Sequence, residues 1–270
     1  FGVMYLNHGH LPAHRYWWYN HEQIAALRYH LDHYIVLNDG TQGRDALIKR
    51  GIPPEKITWL PNGMDKSWAD LEVDPSISRR EFGLPEDKTL LVTYSRLVRS
   101  KRVELFLEAA AGIRPALRER IALVIGGDGP DREALERRAA DLGLSGCTFF
   151  TGAIRYDRIP VLLKSCDIFV GTNELTNMSM PPCESLLCGV PVVAFDVAGT
   201  SEAVIDGRTG LLCPDNDIEA LTASIERLLE DPALRERLGR QAMEFARSEF
   251  MSWEDRTSSE VEVLRSLIAR

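Results

Sequence analysis

From Thr89 to Phe195 the sequence alternates short apolar runs with helix-forming ones, and this alternation constrains the fold more than any other feature. Leu90–Ser95, Ile121–Ile125, Thr148–Phe150, Ile168–Gly171 and Pro191–Phe195 read as strands. Helices are expected between them at about 102–117, 131–142, 156–164 and 182–188. Alternation with connections this short calls for a parallel sheet built by right-handed crossovers, an α/β architecture. The tail, about 215–230, 232–248 and 252–269, reads as further helices, the last opened by Ser252 as N-cap. No tandem repeat or low-complexity tract breaks the pattern.

Residues 1–6 read as an apolar strand that delivers Asn7-His8-Gly9-His10 at its carboxyl end, where open α/β sheets hold ligands. Ile24, Leu27 and Leu31 at helical spacing mark a helix over 20–33, followed by a strand over 34–37. A helix over about 41–50 ends at Gly51, and residues 57–65 give a strand and a turn. Residues 66–88, polar and punctuated by Pro75 and Pro85, read as a linker. All six histidines fall before residue 34. Their H-x-H-x3-H spacing can converge on zinc, but Pro12 interrupts any continuous helix through the set and no cysteine is near. No metal is expected; one catalytic histidine, or ordinary surface and core histidines, are the remaining readings.

The net charge of −8 and pI near 5.4 argue against a nucleic-acid protein, which carries a basic footprint. Five cysteines without a CxxC pair fit reduced thiols in the cytoplasm. No apolar run is long enough to span a bilayer. The chain starts at Phe1 inside a strand-like run, so a fragment is expected.

Three loops carry candidate chemistry. Within Ser95–Arg102, Arg96 and Lys101 bracket the βα loop, where two cations can neutralise a leaving diphosphate. Gly126-Gly127-Asp128-Gly129-Pro130 lacks the Lys and Ser/Thr of a Walker loop and fails GxGxxG at Arg132, so alone it reads as a tight turn. The longest signal runs from Asn173 to Val204: a polar run, a short helix from Pro182 carrying Glu184, the strand Val190–Phe195, and a second short helix after Gly199. Two helix N-termini at one sheet edge favour an anion, and a carboxylate beside them can accept from sugar hydroxyls. The combination suggests a nucleotide-diphosphate sugar.

PPCESLLCGVPVVAFDVAGTSEAVIDGRTGLL resembles the donor-site signature of the retaining family 4 glycosyltransferases, of the GT-B fold. With the other motifs the likeness extends over residues 1–270. The resemblance implies α/β architecture: a Rossmann-like donor domain at 89–250, the carboxyl part of a first Rossmann-like domain at 1–65, a linker at 66–88, and a last helix, 251–270, returning to the first domain. It implies transfer of a glycosyl group from a nucleotide sugar to a saccharide, lipid-linked or other hydroxyl acceptor, with retained configuration and no cofactor or metal. Arg96 and Lys101 correspond to the family's diphosphate cations and Glu184 to its ribose ligand. His8 matches the histidine near the anomeric carbon, with His10 as the fallback. Gly127 lies in the turn beside the nucleotide, and Ile154 and Arg155 in the loop that reads the base. Thr176, Asn177, Met178 and Ser179 would lay backbone N–H groups along the β-phosphate and sugar.

Two departures stand out. Thr176 occupies the place of a usual Glu, and Ser95 and Arg102 stand where glycine is usual. The expected location is cytoplasmic, with peripheral contact at the inner membrane face through a missing N-terminal part as one option, and no nucleic acid is an expected partner. The fragment is expected to bind the donor and to turn it over weakly. The alternatives are a nucleotide-sugar-binding module without turnover, and an epimerase or phosphorylase-like enzyme on the same fold.

Overall fold

The computed structural model describes residues 3–6, 31–36, 44–45, 47–174, 180–197 and 199–269. The chain divides into two compact units, residues 1–65 with 250–270, and residues 66–249.

In the first unit β1 (Val3–Leu6), β2 (His33–Val36) and β3 (Ile57–Trp59) form a parallel sheet in that order. Tyr34, Val36, Leu47 and Ile57 make its buried cluster, with Leu31 and Ile52 against it. His33 is buried in β2, its Nε2 2.9 Å from Thr58 Oγ1, which makes it a sheet residue rather than a ligand. The Met64 amide donates to the Met251 carbonyl at 2.8 Å, and this contact leads into the helix Trp253–Ile268. Ser252 caps that helix by accepting from the Asp255 amide at 3.0 Å. The expected helix 20–33 lies largely outside the described residues.

The second unit holds β4 (Thr89–Tyr94), β5 (Ile121–Gly126), β6 (Thr148–Gly152), β7 (Ile168–Gly171), β8 (Val192–Phe195) and β9 (Gly210–Cys213). All pair in parallel, in the order β6-β5-β4-β7-β8-β9. Residue alternation divides the sheet between two layers. Leu91, Leu123, Ile125, Val193 and Phe195 join Phe106, Leu107, Leu221, Ile225 and Leu228 of the helices Val103–Gly112 and Ile218–Glu230. The intervening Leu90, Val92, Val124 and Val192 are equally buried, as a parallel sheet covered on both faces requires.

Four expectations change. Residues 66–88 belong to the second unit and carry the helices Ser67–Asp70 and Pro75–Glu81. Asp74 caps the latter by accepting from the Ser76 amide at 2.9 Å, with Pro75 in the tolerant first turn. The helix expected at 102–117 is broken into Val103–Gly112 and Pro115–Arg118, because Pro115 forces Arg114 out of the helical region, to φ −52° and ψ 137°. The segment expected at 156–164 begins as the 3-10 turn Tyr156–Arg158 before the helix Ile159–Lys164. β9 was not anticipated at all, since four residues behind a turn make a weak pattern. All five cysteines are free thiols; Cys166, Cys183, Cys188 and Cys213 are buried. Burial pushes the Cys183 and Cys188 thiols up to about 12, which leaves them inert. Among the described residues no helix is long and apolar enough to cross a membrane.

Arg79 fastens the amino ends of the two central strands. Its guanidinium donates to the carbonyls of Ser165, Glu86 and Lys88 at 2.9–3.1 Å and to Asp167 at 3.0 Å, while Asp167 also accepts from the Leu90 amide at 2.8 Å. Arg79→Ala strands these acceptors, so we expect a loss of ~2–3 kcal/mol. Chemical denaturation should show a lower midpoint with an unchanged m-value; a loss below ~0.5 kcal/mol would show that water replaces the arginine without cost.

Candidate donor-binding site at the switch point

The chain leaves β4 toward β5 and β6 on one side, then returns to β7 on the other side of β4. Their pairing is short, Leu91 with Ile168 and Val92 with Phe169. Loops after strands on opposite sides of such a reversal diverge, and open α/β sheets hold ligands in the crevice this leaves.

The loops here are stitched together through their backbones. The Ser95 amide donates to Gly126 O at 3.1 Å, Leu97 to Asp128 O at 2.9 Å, and Gly127 to Gly152 O at 2.7 Å. Gly127 has φ +107°, and a Cβ there would lie 1.8 Å from Ser95 O, so only glycine fits. Beside this junction lies a cleft of about 330 Å³ lined by Tyr94, Ser95, Arg96, Gly127, Asp128 and Ile154, among others.

The cleft's floor connects to Glu184. That carboxylate is buried in the helix Met180–Leu187, and its Oε2 accepts from the Tyr94 hydroxyl. Desolvation raises the Glu184 pKa to about 7. Its Oε1 has no hydrogen bond among the described residues. Lys101 is half-buried in the loop after β4, and loss of water lowers its pKa. Among the described residues no carboxylate pairs with it, so its charge is uncompensated. The Thr172 hydroxyl donates to Lys101 O at 3.0 Å, and the Glu174 amide to Ser100 O at 3.0 Å. These contacts join the loops that follow β4 and β7.

Arg96, Gly127 and Ile154 therefore share one cleft, and Glu184 reaches it through Tyr94. Arg155 does not line it: its exposed guanidinium pairs with Asp157 at 3.1 Å. His8, His10 and Thr176–Ser179 lie outside the described residues. The second short helix, Thr200–Ala203, is a single turn, too short to sum many peptide dipoles, so the expected anion site rests on the helix Met180–Leu187. Sequence reasoning missed Tyr94, whose one signal was a hydroxyl-bearing aromatic closing the apolar run of β4. It also took Arg102 for a mild departure, whereas this residue is 8% exposed and makes four hydrogen bonds between loops.

Comparison with known proteins shows the family and the fold. Residues 75–245 match the family model described as "Glycosyl transferases group 1". An alpha-D-kanosaminyltransferase of Streptomyces kanamyceticus is 30% identical over 212 residues, 77% of this chain and 54% of that protein. A GDP-mannose-dependent phosphatidylinositol monomannoside mannosyltransferase of Mycolicibacterium smegmatis is 34% identical over 191 residues, 67% of this chain and 49% of that protein. The chain thus spans about half the length of the curated relatives it matches. Among solved structures, Anabaena HepE in complex with UDP-glucose has a TM-score of 0.83 at 23% identity, over 98% of this chain and 72% of that one. Sucrose-phosphate synthase from Thermosynechococcus elongatus gives 0.80 at 25% identity, over 96% of this chain and 64% of that one. The fold is α/β of the GT-B type, and the chain belongs to the group 1 glycosyl transferases.

Proposed function

We infer that residues 66–249 bind a nucleotide-diphosphate sugar and that the protein transfers its glycosyl group to a hydroxyl acceptor with retained configuration. The observation that carries this reading is that a half-buried Lys101, without a carboxylate partner among the described residues, and a buried Glu184 follow the two strands at which the strand order reverses. One supplies positive charge for a diphosphate; the other supplies an acceptor for ribose hydroxyls. The relatives named for sugar transfer and the neighbour solved with UDP-glucose support the same substrate class.

In this reading Arg96 and Lys101 hold the diphosphate and stabilise the charge that develops as the sugar–phosphate bond breaks. Gly127 and Ile154 flank the nucleotide from the cleft, and Glu184 Oε1 accepts from the ribose. Attack comes from the face the phosphate leaves: the acceptor oxygen bonds to the anomeric carbon, and the departing phosphate oxygen takes the acceptor's proton. No metal is required where two cations carry the diphosphate charge. His8, or His10, and the backbone of Thr176–Ser179 are the remaining assignments, on the sugar side. A donor-binding module without turnover is the second reading, favoured by Thr176 where the resemblance expects a Glu.

A thermal-shift screen of UDP-, GDP- and ADP-sugars tests the substrate class, and no shift with any of them would sink it. Lys101→Ala should weaken nucleoside-diphosphate binding about 10- to 100-fold and leave nucleoside binding unchanged. Equal losses for both ligands would remove Lys101 from the diphosphate.

Glu184 yields a pH-dependent prediction. Its folded pKa of about 7 lies above the ordinary value of 4.5. Between these two the unfolded chain gives up its proton while the folded chain keeps it, so stability falls as pH rises. The full cost, ~3 kcal/mol, is reached above the folded pKa. Glu184→Gln should therefore stabilise the unliganded chain at about pH 8 and leave it unchanged at about pH 4. The same variant should lose the preference for ribose over 2′-deoxyribose nucleotides. Denaturation curves with no pH-dependent difference would show Glu184 already ionised at no cost.

A further inference from the structure

The loop after β4 ends on a residue that the donor reading leaves unused. Arg102 has φ 48°, in the left-handed region, immediately before the helix Val103–Gly112. Among the described residues the other non-glycine residue with positive φ is Asn216, at 60°. The two are partners: Arg102 Nη1 donates to Asn216 Oδ1 at 2.8 Å. Backbone held in a sparsely populated region persists only where its surroundings over-determine it.

Those surroundings are specific. Arg102 Nε donates to Thr172 O at 2.8 Å, and Nη2 to Asn173 O at 2.6 Å and to Asp215 Oδ1 at 2.8 Å. With Asn216 this occupies four of the five N–H donors a guanidinium has. The guanidinium carbon also lies 5.4 Å from the centroid of the Phe195 ring at the end of β8. So engaged, the side chain acts through what it holds. It holds the first two residues after β7, at the point where the Thr172 hydroxyl meets Lys101 O and the Glu174 amide meets Ser100 O.

The geometry points to Arg102 as a positioning residue that locks the exit of β7 onto the Lys101 loop, with Asp215 and Asn216 as its outer anchors. The role rests on the donor-site reading above. Glycine adopts φ near 48° freely, so the backbone has no need of an arginine here; only the bracket does. Without it, two carbonyls lose their common donor, and the Thr172 and Glu174 contacts between the two loops lose the support of the guanidinium. Lysine is no substitute, because a single ammonium cannot fork between the carbonyl pair and Asp215.

The test is Arg102→Gly in the 270-residue chain, titrated calorimetrically with uridine, guanosine, adenosine, UDP-glucose, GDP-mannose and ADP-glucose. We expect the variant to stay folded and to bind the preferred sugar nucleotide about 10-fold or more weakly, with its nucleoside affinity within about 2-fold of the unsubstituted chain. Asp215→Asn, on a side chain 43% exposed, keeps the shape and removes the charge, and should shift the same ratio in the same direction by less. Unchanged sugar-nucleotide affinity in both variants overturns the role, as does a proportional loss of nucleoside and sugar nucleotide, which a purely structural arginine would give. If the unsubstituted chain binds none of the three sugar nucleotides, the donor-site reading itself fails, and this role with it.

Discussion

The site depends on how β4 and β7 are held side by side. They share a register of Leu91 with Ile168 and Val92 with Phe169, little ladder for the two strands at which the chain reverses its direction across the sheet. Apolar packing supplies cohesion there but no direction, since burial is roughly proportional to area and indifferent to orientation. Direction comes from two arginines. Arg79 closes the amino ends through Asp167, and Arg102 spans the carboxyl ends through Thr172 and Asn173. Both ends of this short ladder are thus fixed by directional hydrogen bonds as well as by packing.

The electrostatics follow from which cations are compensated. The chain is acidic overall, with a net charge of −8, yet the loop after β4 carries Arg96, Arg99, Lys101 and Arg102. Arg102 is neutralised by Asp215 at 2.8 Å. Lys101 is left half-buried without a carboxylate among the described residues, and its lowered pKa records the missing water. Glu184 is the converse, an acid pushed up by burial beside a tyrosine hydroxyl. In each, burial disfavours the charged form. Functional sites are where burial and neighbouring charge shift pKa values most, which is why this end of the sheet is the candidate site.

Much of this was legible in the sequence, for identifiable reasons. β4, β5, β7 and β8 are runs of branched apolar residues, and a parallel sheet buried on both faces demands such runs. Arg96 and Gly127 were singled out by type and spacing, and the structure places both at one cleft, with Glu184 bonded to Tyr94 of its lining. Asp74 ahead of Pro75 and the break at Pro115 were local signals that a reading at the level of domains passed over. Arg102 was not legible. Its partners Asn216 and Asp215 lie 114 and 113 residues away, and only folding brings them together. Arg155 shows the opposite case: its exposed guanidinium pairs with Asp157 two residues later, a local contact that a reading by position does not foresee.

The glycines between β5 and the following helix illustrate why a packing reading and a ligand reading need not compete. A Cβ on Gly127 would meet Ser95 O at 1.8 Å, and one on Gly129 would meet Leu97 O at 2.3 Å. Glycine is needed here because loop backbone lies directly on loop backbone, whether or not a ligand is present. That close approach draws the ends of β4 and β5 together, with Leu97 donating to Asp128 O and accepting from the Asp131 amide. The same approach removes side-chain volume from the rim of the cleft that Tyr94, Arg96 and Ile154 line. Space for a flat, polar ligand is thus a by-product of the tight turn. A tight βα turn and a turn that lines the cleft are one structural fact, since Gly127 serves both.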